Sequence, residues 1–144
     1  MSAPTIEVGT KLPELKLYGD PTFIVSTAIA TRDYQDVHHD RDQAQAKGSD
    51  DIFVNILTDT GLVERFITDW AGPSALVKSI SLRLGVPWYA YDMVTFSGEV
   101  TALDDGLITV KVVGANSLGD HVIATATLVV GSSREPSSLT PGAA

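Results

Sequence analysis

The chain has 144 residues, 44% of them hydrophobic and 19% charged, so it can bury the core of one domain. Its formal net charge of −8 argues against a nucleic-acid partner, because phosphate binding needs clustered cations. The absence of cysteine excludes disulfides and cysteine-ligated zinc, and it fits a reducing, cytoplasmic compartment. The sequence shows no signal-peptide pattern and no apolar run long enough for a bilayer, so we expect no membrane association.

The first half of the chain begins with an extended lead-in, residues 1–20, in which proline and glycine recur. The β-branched run from Thr22 to Thr31 predicts a strand. The polar segment 32–51 then predicts a loop with a short helix that ends at Gly48.

A long helix is predicted from Ile52 to Trp70, where apolar residues recur at spacings of three and four. So many of its residues are apolar that we expect it to be deeply buried. Gly61 lies inside it at a cost of roughly 1 kcal/mol relative to alanine. We therefore expect another backbone to approach the helix closely there.

The remainder is strand-like, with a hairpin turn predicted at Asp104-Asp105-Gly106. The predicted strands span residues 76–84, 91–103, 107–114 and 121–130. The tail 132–144 is rich in Ser, Pro, Gly and Ala and is predicted to be disordered. This order predicts a single α+β domain, residues 1–131, in which an antiparallel sheet covers a long helix and its exposed edges favour self-association or a partner.

Asp33 and His38 are five residues apart, where the predicted strand meets the loop. A carboxylate and an imidazole can hold one water and move protons near neutral pH. From spacing alone, two solvated loop residues are the more ordinary interpretation. A metal site built from His38, His39 and the neighbouring aspartates is a weaker alternative, because no spaced ligand triad is visible.

The pattern Asp33-x-x-x-x-His38-x-Asp40-x-x-x-Ala44-x-x-x-Gly48 resembles the hydratase signature of the MaoC-like family. The resemblance implies a hot dog fold, in which a sheet wraps a central helix, two units pair, and the active site lies in a tunnel between them. It implies that Asp33 and His38 are the catalytic dyad adding water to a 2-enoyl-CoA thioester. It implies no metal and no cofactor.

Two departures from the family pattern concern the substrate. Ile56 stands where the family usually has a glycine whose N–H polarises the thioester, and Asn55 stands where a histidine is common. The resemblance therefore assigns substrate binding to these two positions, although Ile56 could also be a core residue. Gln35-Asp36 replaces the usual Asn-Pro, so a divergent branch is expected.

Three stretches resemble the small subunits of actinobacterial steroid enoyl-CoA hydratases more closely. They are LPELKLYGDPTFIVSTAIATRDYQDVHHDRD, DIFVNILTDTGLVERFITDWAGP and LRLGVPWYAYD. That resemblance implies a larger partner subunit with a MaoC-like domain and a DUF35 domain, in an α2β2 heterotetramer. It also implies a steroid acyl-CoA substrate from cholesterol side-chain degradation, with an aldolase acting on the product.

Other assignments remain open at this stage. A hot-dog thioesterase, or a non-catalytic hot-dog subunit completing a partner's tunnel, is the alternative to a hydratase. Five aromatic residues are expected either to line a bulky apolar pocket or to belong to the core: Phe53, Phe66, Trp88, Tyr89 and Tyr91. His121 is expected in a turn, as a surface residue.

Overall fold

The computed structural model describes residues 5–131. The predicted disordered tail, 132–144, and the first four residues lie outside the described residues. The elements in chain order are β1 (Lys11–Gly19), α1 (Pro21–Ala30), a 3-10 turn (Asp36–His38), α2 (Arg41–Ala46), α3 (Ile56–Ala71), β2 (Ala75–Leu84), β3 (Asp92–Asp104), β4 (Leu107–Asn116) and β5 (Gly119–Val130).

The strands form one antiparallel sheet in the order β1-β3-β4-β5-β2. One cross-strand row places Val100 opposite Val110, and Val110 opposite Ala126. All three are fully buried, so this row faces the core. The hairpin turn between β3 and β4 is confirmed, with Asp105 and Gly106 both at positive φ, as a tight two-residue turn requires.

Helix α3 packs against one face of the sheet, and the Phe66 ring lies 6.2 Å from the Phe96 ring. The helix begins at Ile56, four residues later than predicted, because Ile52 and Val54 pair as extended chain with the β2–β3 connection. It ends at Ala71, one residue beyond the predicted Trp70, and Gly72, where φ is 87°, is its C-cap. The predicted α+β architecture, in which an antiparallel sheet covers a long helix, is therefore confirmed.

The expectation of a deeply buried helix holds for one face of α3. Leu62, Val63 and Ile67 are buried, whereas Ile56 and Leu57 are 47% and 51% exposed. The expectation that another backbone approaches α3 closely at Gly61 is wrong within this chain. A Cβ built there would meet no atom within 4 Å.

The predicted strand over residues 22–31 is also wrong, because this segment forms α1. Asp20 caps the helix by accepting a hydrogen bond from the Phe23 N–H at 2.8 Å, and Pro21 follows at the first helical position. Ile24 and Ala28, four residues apart, are buried. The cap and the packing of one face outweigh the β propensity of the side chains.

Within the lead-in, residues 11–19 are extended, as predicted, and form the edge strand β1. The short helix before Gly48 is confirmed as α2. Within residues 5–131, no helix combines the length and apolar content needed to cross a bilayer.

Candidate active site

Asp33 lies three residues beyond the last residue of α1, and its N–H donates to the Ala28 carbonyl in the last turn of that helix at 2.9 Å. Arg32, with φ at 57°, makes the left-handed turn that leads the chain out of the helix. The 3-10 turn then brings His38 back towards the helix end. The His38 Nε2 lies 3.4 Å from the Asp33 Oδ2, and their side chains are 7% and 19% exposed.

The His38 ring is oriented by a main-chain carbonyl. Its Nδ1 lies 2.7 Å from the Phe53 oxygen, and its ring meets the Phe53 ring edge-on at 4.9 Å. A carbonyl oxygen can accept but never donate, so Nδ1 carries the proton. In the neutral imidazole, Nε2 therefore presents its lone pair beside the Asp33 carboxylate. Both atoms accept hydrogen bonds, so both can receive hydrogens from one water.

Asn55 joins α1, the loop and α3 through its buried side chain, which is 1% exposed. Its Nδ2 donates to the Thr31 Oγ1 at 2.9 Å and to the Asp33 Oδ2 at 3.2 Å. Its Oδ1 accepts from the Thr58 hydroxyl. The structure therefore places the Asn55 side chain against Asp33.

This arrangement leaves the start of α3 without a side-chain cap. Asn55 occupies the N-cap position, yet its side chain makes no hydrogen bond to the helix backbone. The first N–H groups of a helix have no partner within it, and the helix dipole favours negative charge there. The N–H of Ile56 belongs to this turn. Because its side chain is 47% exposed, the alternative that Ile56 is a core residue is wrong.

The surrounding loop is held by ion pairs at its outer side. Lys47 Nζ lies 2.6 Å from Asp36, and Arg41 Nε lies 2.8 Å from Asp51. The hydrogen bond from Lys47 holds the pKa of the Asp36 carboxyl below its usual range. These carboxylates are already engaged in pairs away from His38.

The metal alternative finds no supporting geometry. His39, the second histidine of the proposed ligand set, is exposed beside the buried His38. In the part of the chain that the structure describes, no three His, Cys, Asp or Glu side chains converge as ligands.

A second carboxylate–imidazole pair lies deeper in the molecule, and sequence reasoning missed it. His121, expected at the surface, is 1% exposed, and Asp59 of α3 is fully buried. Both Asp59 oxygens lie 2.9 Å from the His121 Nε2, and the His121 Nδ1 lies 2.7 Å from the Val86 oxygen. The signal in the sequence was the helical spacing, because Asp59 shares the buried stripe of Val63 and Phe66.

The pKa values of both groups in this pair are raised, for different reasons. Burial raises the pKa of the Asp59 carboxyl, against the opposing hydrogen bond from His121. Burial by itself would lower the pKa of His121, but the hydrogen bond and charge of Asp59 outweigh it, and the pKa is raised. Since Nδ1 donates to the Val86 carbonyl, the shared proton lies between Nε2 and the carboxylate.

The aromatic residues match the two expected roles only in part. Phe66 and Trp88 are core residues, 3% and 0% exposed. Phe53 lines an apolar cavity of about 210 Å³ that also reaches His121, and Tyr89 packs edge-on against Phe53 at 6.4 Å. Tyr91 is 60% exposed and therefore belongs to neither the core nor this cavity.

Comparison with known proteins agrees with this geometry. No protein-family model matches the chain. The chain is 83% identical over 121 residues to the 3-oxo-4,17-pregnadiene-20-carboxyl-CoA hydratase beta subunit of Mycobacterium tuberculosis, covering 84% of this chain and 94% of that protein.

Solved structures show the same fold. A chain of the ChsH1-ChsH2 complex from Mycobacterium tuberculosis superposes with a TM-score of 0.87 at 79% identity, covering 88% of this chain and all of that one. The (R)-hydratase from A. caviae involved in PHA biosynthesis superposes with a TM-score of 0.82 at 22% identity, over 90% of this chain and 100% of that chain, which shows the fold alone. The chain thus has the hot dog fold of the MaoC-like hydratases and belongs to the family of the 3-oxo-4,17-pregnadiene-20-carboxyl-CoA hydratase beta subunit.

Proposed function

We propose that this chain is the small, dyad-bearing subunit of a hydratase that adds water across the α,β double bond of a steroid side-chain acyl-CoA thioester. The observation that carries the proposal is its 83% identity to a hydratase beta subunit named for such a substrate. The placement of Asp33 beside His38 supports it, because the pair can grip one water. The enzyme is accordingly a hydro-lyase.

In the proposed reaction, Asp33 and His38 each accept a hydrogen bond from one water molecule. The oxygen of that water then attacks the β-carbon of the conjugated thioester. One water proton is taken up by the pair, and a proton is returned to the α-carbon, so atoms and charge balance. Electron density moves onto the thioester oxygen during the attack. The uncapped N–H of Ile56 at the start of α3 supplies a preorganised donor for that oxygen.

No electrons are gained or lost when water adds to this electron-poor alkene, so the reaction as proposed needs no cofactor. The product is a β-hydroxy thioester, the type of compound that an aldolase cleaves between its α- and β-carbons. We propose that an aldolase consumes it. The reaction uses CoA thioesters, and the cysteine-free chain suits a reducing compartment, so we propose a cytoplasmic location.

We also propose that a larger partner subunit, with a MaoC-like and a DUF35 domain, completes the tunnel in an α2β2 assembly. The similar Mycobacterium tuberculosis chain is part of a ChsH1-ChsH2 complex, and the related curated protein is named a beta subunit. Large apolar side chains next to the site residues are exposed, as at an interface: Ile29, Tyr34, Ile56 and Leu57. With ten Lys and Arg against 18 Asp and Glu, this chain has few cations for CoA, so we expect the partner to supply them.

The test is to mix the purified chain with its partner and a steroid enoyl-CoA, and to follow the enoyl absorbance and free thiol together. Loss of absorbance without thiol release is the expected result. Thiol release with an intact alkene would instead indicate a thioesterase. Native mass measurement, with and without the partner, tests the assembly, and an active homodimer would contradict the heteromeric arrangement.

A further inference from the structure

The buried pair of Asp59 and His121 takes no part in the proposed chemistry, yet it connects two elements that hold the site. Asp59 belongs to the first turn of α3, three residues after Ile56. His121 stands near the start of β5 and donates from its Nδ1 to the carbonyl of Val86. Val86 belongs to the β2–β3 connection, residues 85–91, called the strap below.

The strap is fastened to β5 at one end by main-chain contacts as well. The N–H of Gly85 donates to the His121 carbonyl at 2.8 Å, and the N–H of Val86 donates to the Asp120 carbonyl at 3.0 Å. A Cβ at Gly85 would lie 2.2 Å from the Asp120 oxygen, so the two backbones meet too closely for any other residue.

At its other end the strap holds the segment that orients His38. The N–H of Val54 donates to the Trp88 carbonyl at 3.0 Å, and the N–H of Ala90 donates to the Ile52 carbonyl at 3.1 Å. Phe53, which lies between Ile52 and Val54 in the chain, carries the carbonyl to which the His38 Nδ1 donates. Hydrogen bonds at the two ends of the strap, and the main chain between them, therefore connect His121 to His38.

We propose that Asp59 and His121 are positioning residues, whose buried pair fixes the first turn of α3 relative to the strap, and thereby the Ile56 N–H relative to His38. This inference rests on the proposed function, because it assigns that N–H and that imidazole to one reaction. The carboxylate accepts at 2.9 Å through both oxygens, so the imidazole cannot shift without losing a contact. A misplacement of about 1 Å at a reacting centre lowers a rate by roughly a hundredfold.

The experiment compares Asp59→Leu with the conservative Asp59→Asn, using the chain in its native assembly. Asparagine can still donate to the Nε2 of a neutral His121, so it keeps the link without the charge. Ile67→Ala, further along the same helix and fully buried, is the control for a general loss of stability. The readouts are kcat, KM and the imidazole ¹⁵N resonances of His38, one of three histidines in the chain.

We expect Asp59→Leu to lower kcat by roughly tenfold to a hundredfold, with a smaller change in KM, and to shift the His38 resonances. Asp59→Asn should stay near the wild-type kcat, and Ile67→Ala should lower Tm while leaving kcat and His38 unchanged. A lower Tm for Asp59→Leu with unchanged kcat and His38 resonances would overturn the proposal. So would a large kcat loss in Asp59→Asn with His38 unmoved, since that would assign the pair a chemical role.

If Asp59→Leu does not fold, His121→Gln replaces it, because a single amide cannot span both Val86 and Asp59. We expect His121→Gln to lower kcat and to shift the His38 resonances, with a smaller shift than Asp59→Leu. Unchanged kcat and His38 resonances would overturn the proposal. The His38 resonances are read without substrate. If the wild-type assembly fails to hydrate the thioester, the proposed function fails, while the resonances still decide whether the buried pair positions His38.

Discussion

Two carboxylate–imidazole pairs, Asp33–His38 and Asp59–His121, lie within residues 5–131, and in both the histidine Nδ1 lies 2.7 Å from a main-chain oxygen. They differ at the other nitrogen. The His38 Nε2 stands 3.4 Å from a carboxylate that is 19% exposed. The His121 Nε2 lies 2.9 Å from both oxygens of a carboxylate with no exposed surface.

The difference teaches that residue types do not determine the role of such a pair. The Asp33–His38 pair, the open pair, lies on the loop that follows α1, so its acceptors remain available to a water. The Asp59–His121 pair, the closed pair, links a helix to a strand, and both nitrogens of its imidazole are engaged within the protein. The first arrangement suits proton transfer, and the second suits the fixing of two elements.

The largest expected effect is on activity, from substitutions in the open pair. Asp33→Asn and His38→Gln should each lower kcat by roughly 10²–10⁴-fold, because each removes one of the two groups that hold the water. Loss of enoyl absorbance measures the rate, and circular dichroism checks the fold. Asp36→Asn, in the same loop but paired with Lys47, is the matched control. Wild-type rates in both dyad variants would contradict the assignment.

The next effect is on stability, from the closed pair. His121→Leu should lower the free energy of unfolding by about 3–5 kcal/mol, because it leaves the Asp59 carboxyl buried without its partner. Chemical denaturation of the folded chain measures it. His39→Leu, at an exposed histidine, should change little. Equal losses in the two variants would mean that burial of the pair does not matter for stability.

A smaller effect on activity is expected at Asn55, which orients the Asp33 carboxylate. Asn55→Ala should lower kcat by roughly tenfold, the equivalent of about 1.4 kcal/mol for one hydrogen bond. The control is Gln45→Ala, which removes an exposed side-chain bond to the Asp50 carbonyl instead. A kcat equal to wild type in Asn55→Ala would show that Asp33 keeps its orientation without this contact.

The smallest effect is a pH dependence that distinguishes the pairs. The pKa of His121 is raised above its ordinary value of 6.5 by Asp59, so the folded chain keeps a proton that the unfolded chain releases. Stability should therefore be fully present below that value and fall as pH rises through the folded pKa, by at most about 1.4 kcal/mol per pH unit. Thermal denaturation at a series of pH values, from below 6.5 upward, measures how steeply stability falls with pH. His121→Leu should lose the slope, and His38→Gln should keep it.

Particular residues show how far sequence reasoning reached. The helix stripe of Val63 and Ile67, and the turn at Asp105-Gly106, depend on local periodicity and backbone geometry, so both were predicted. Helix α1 was predicted as a strand because β-branched side chains outnumber the two signals that start it, Asp20 and Pro21.

In the candidate site, too, some residues could be found from the sequence and others could not. The spacing of Asp33 and His38 is a property of the loop itself, so a family resemblance could single them out. Asn55 contacts Asp33 across 22 positions, and His121 contacts Asp59 across 62. No local pattern encodes such pairings.

The sequence by itself determined the composition of the core, the sheet-and-helix architecture and the dyad candidates, because periodicity and motif spacing are local. The tertiary structure alone decided which imidazole stays open to a water and which is closed against a carboxylate. That choice depends on burial and on contacts between distant segments. The proposed dyad of Asp33 and His38 owes its geometry to the Phe53 carbonyl and the Asn55 amide, which reach it only after the chain has folded.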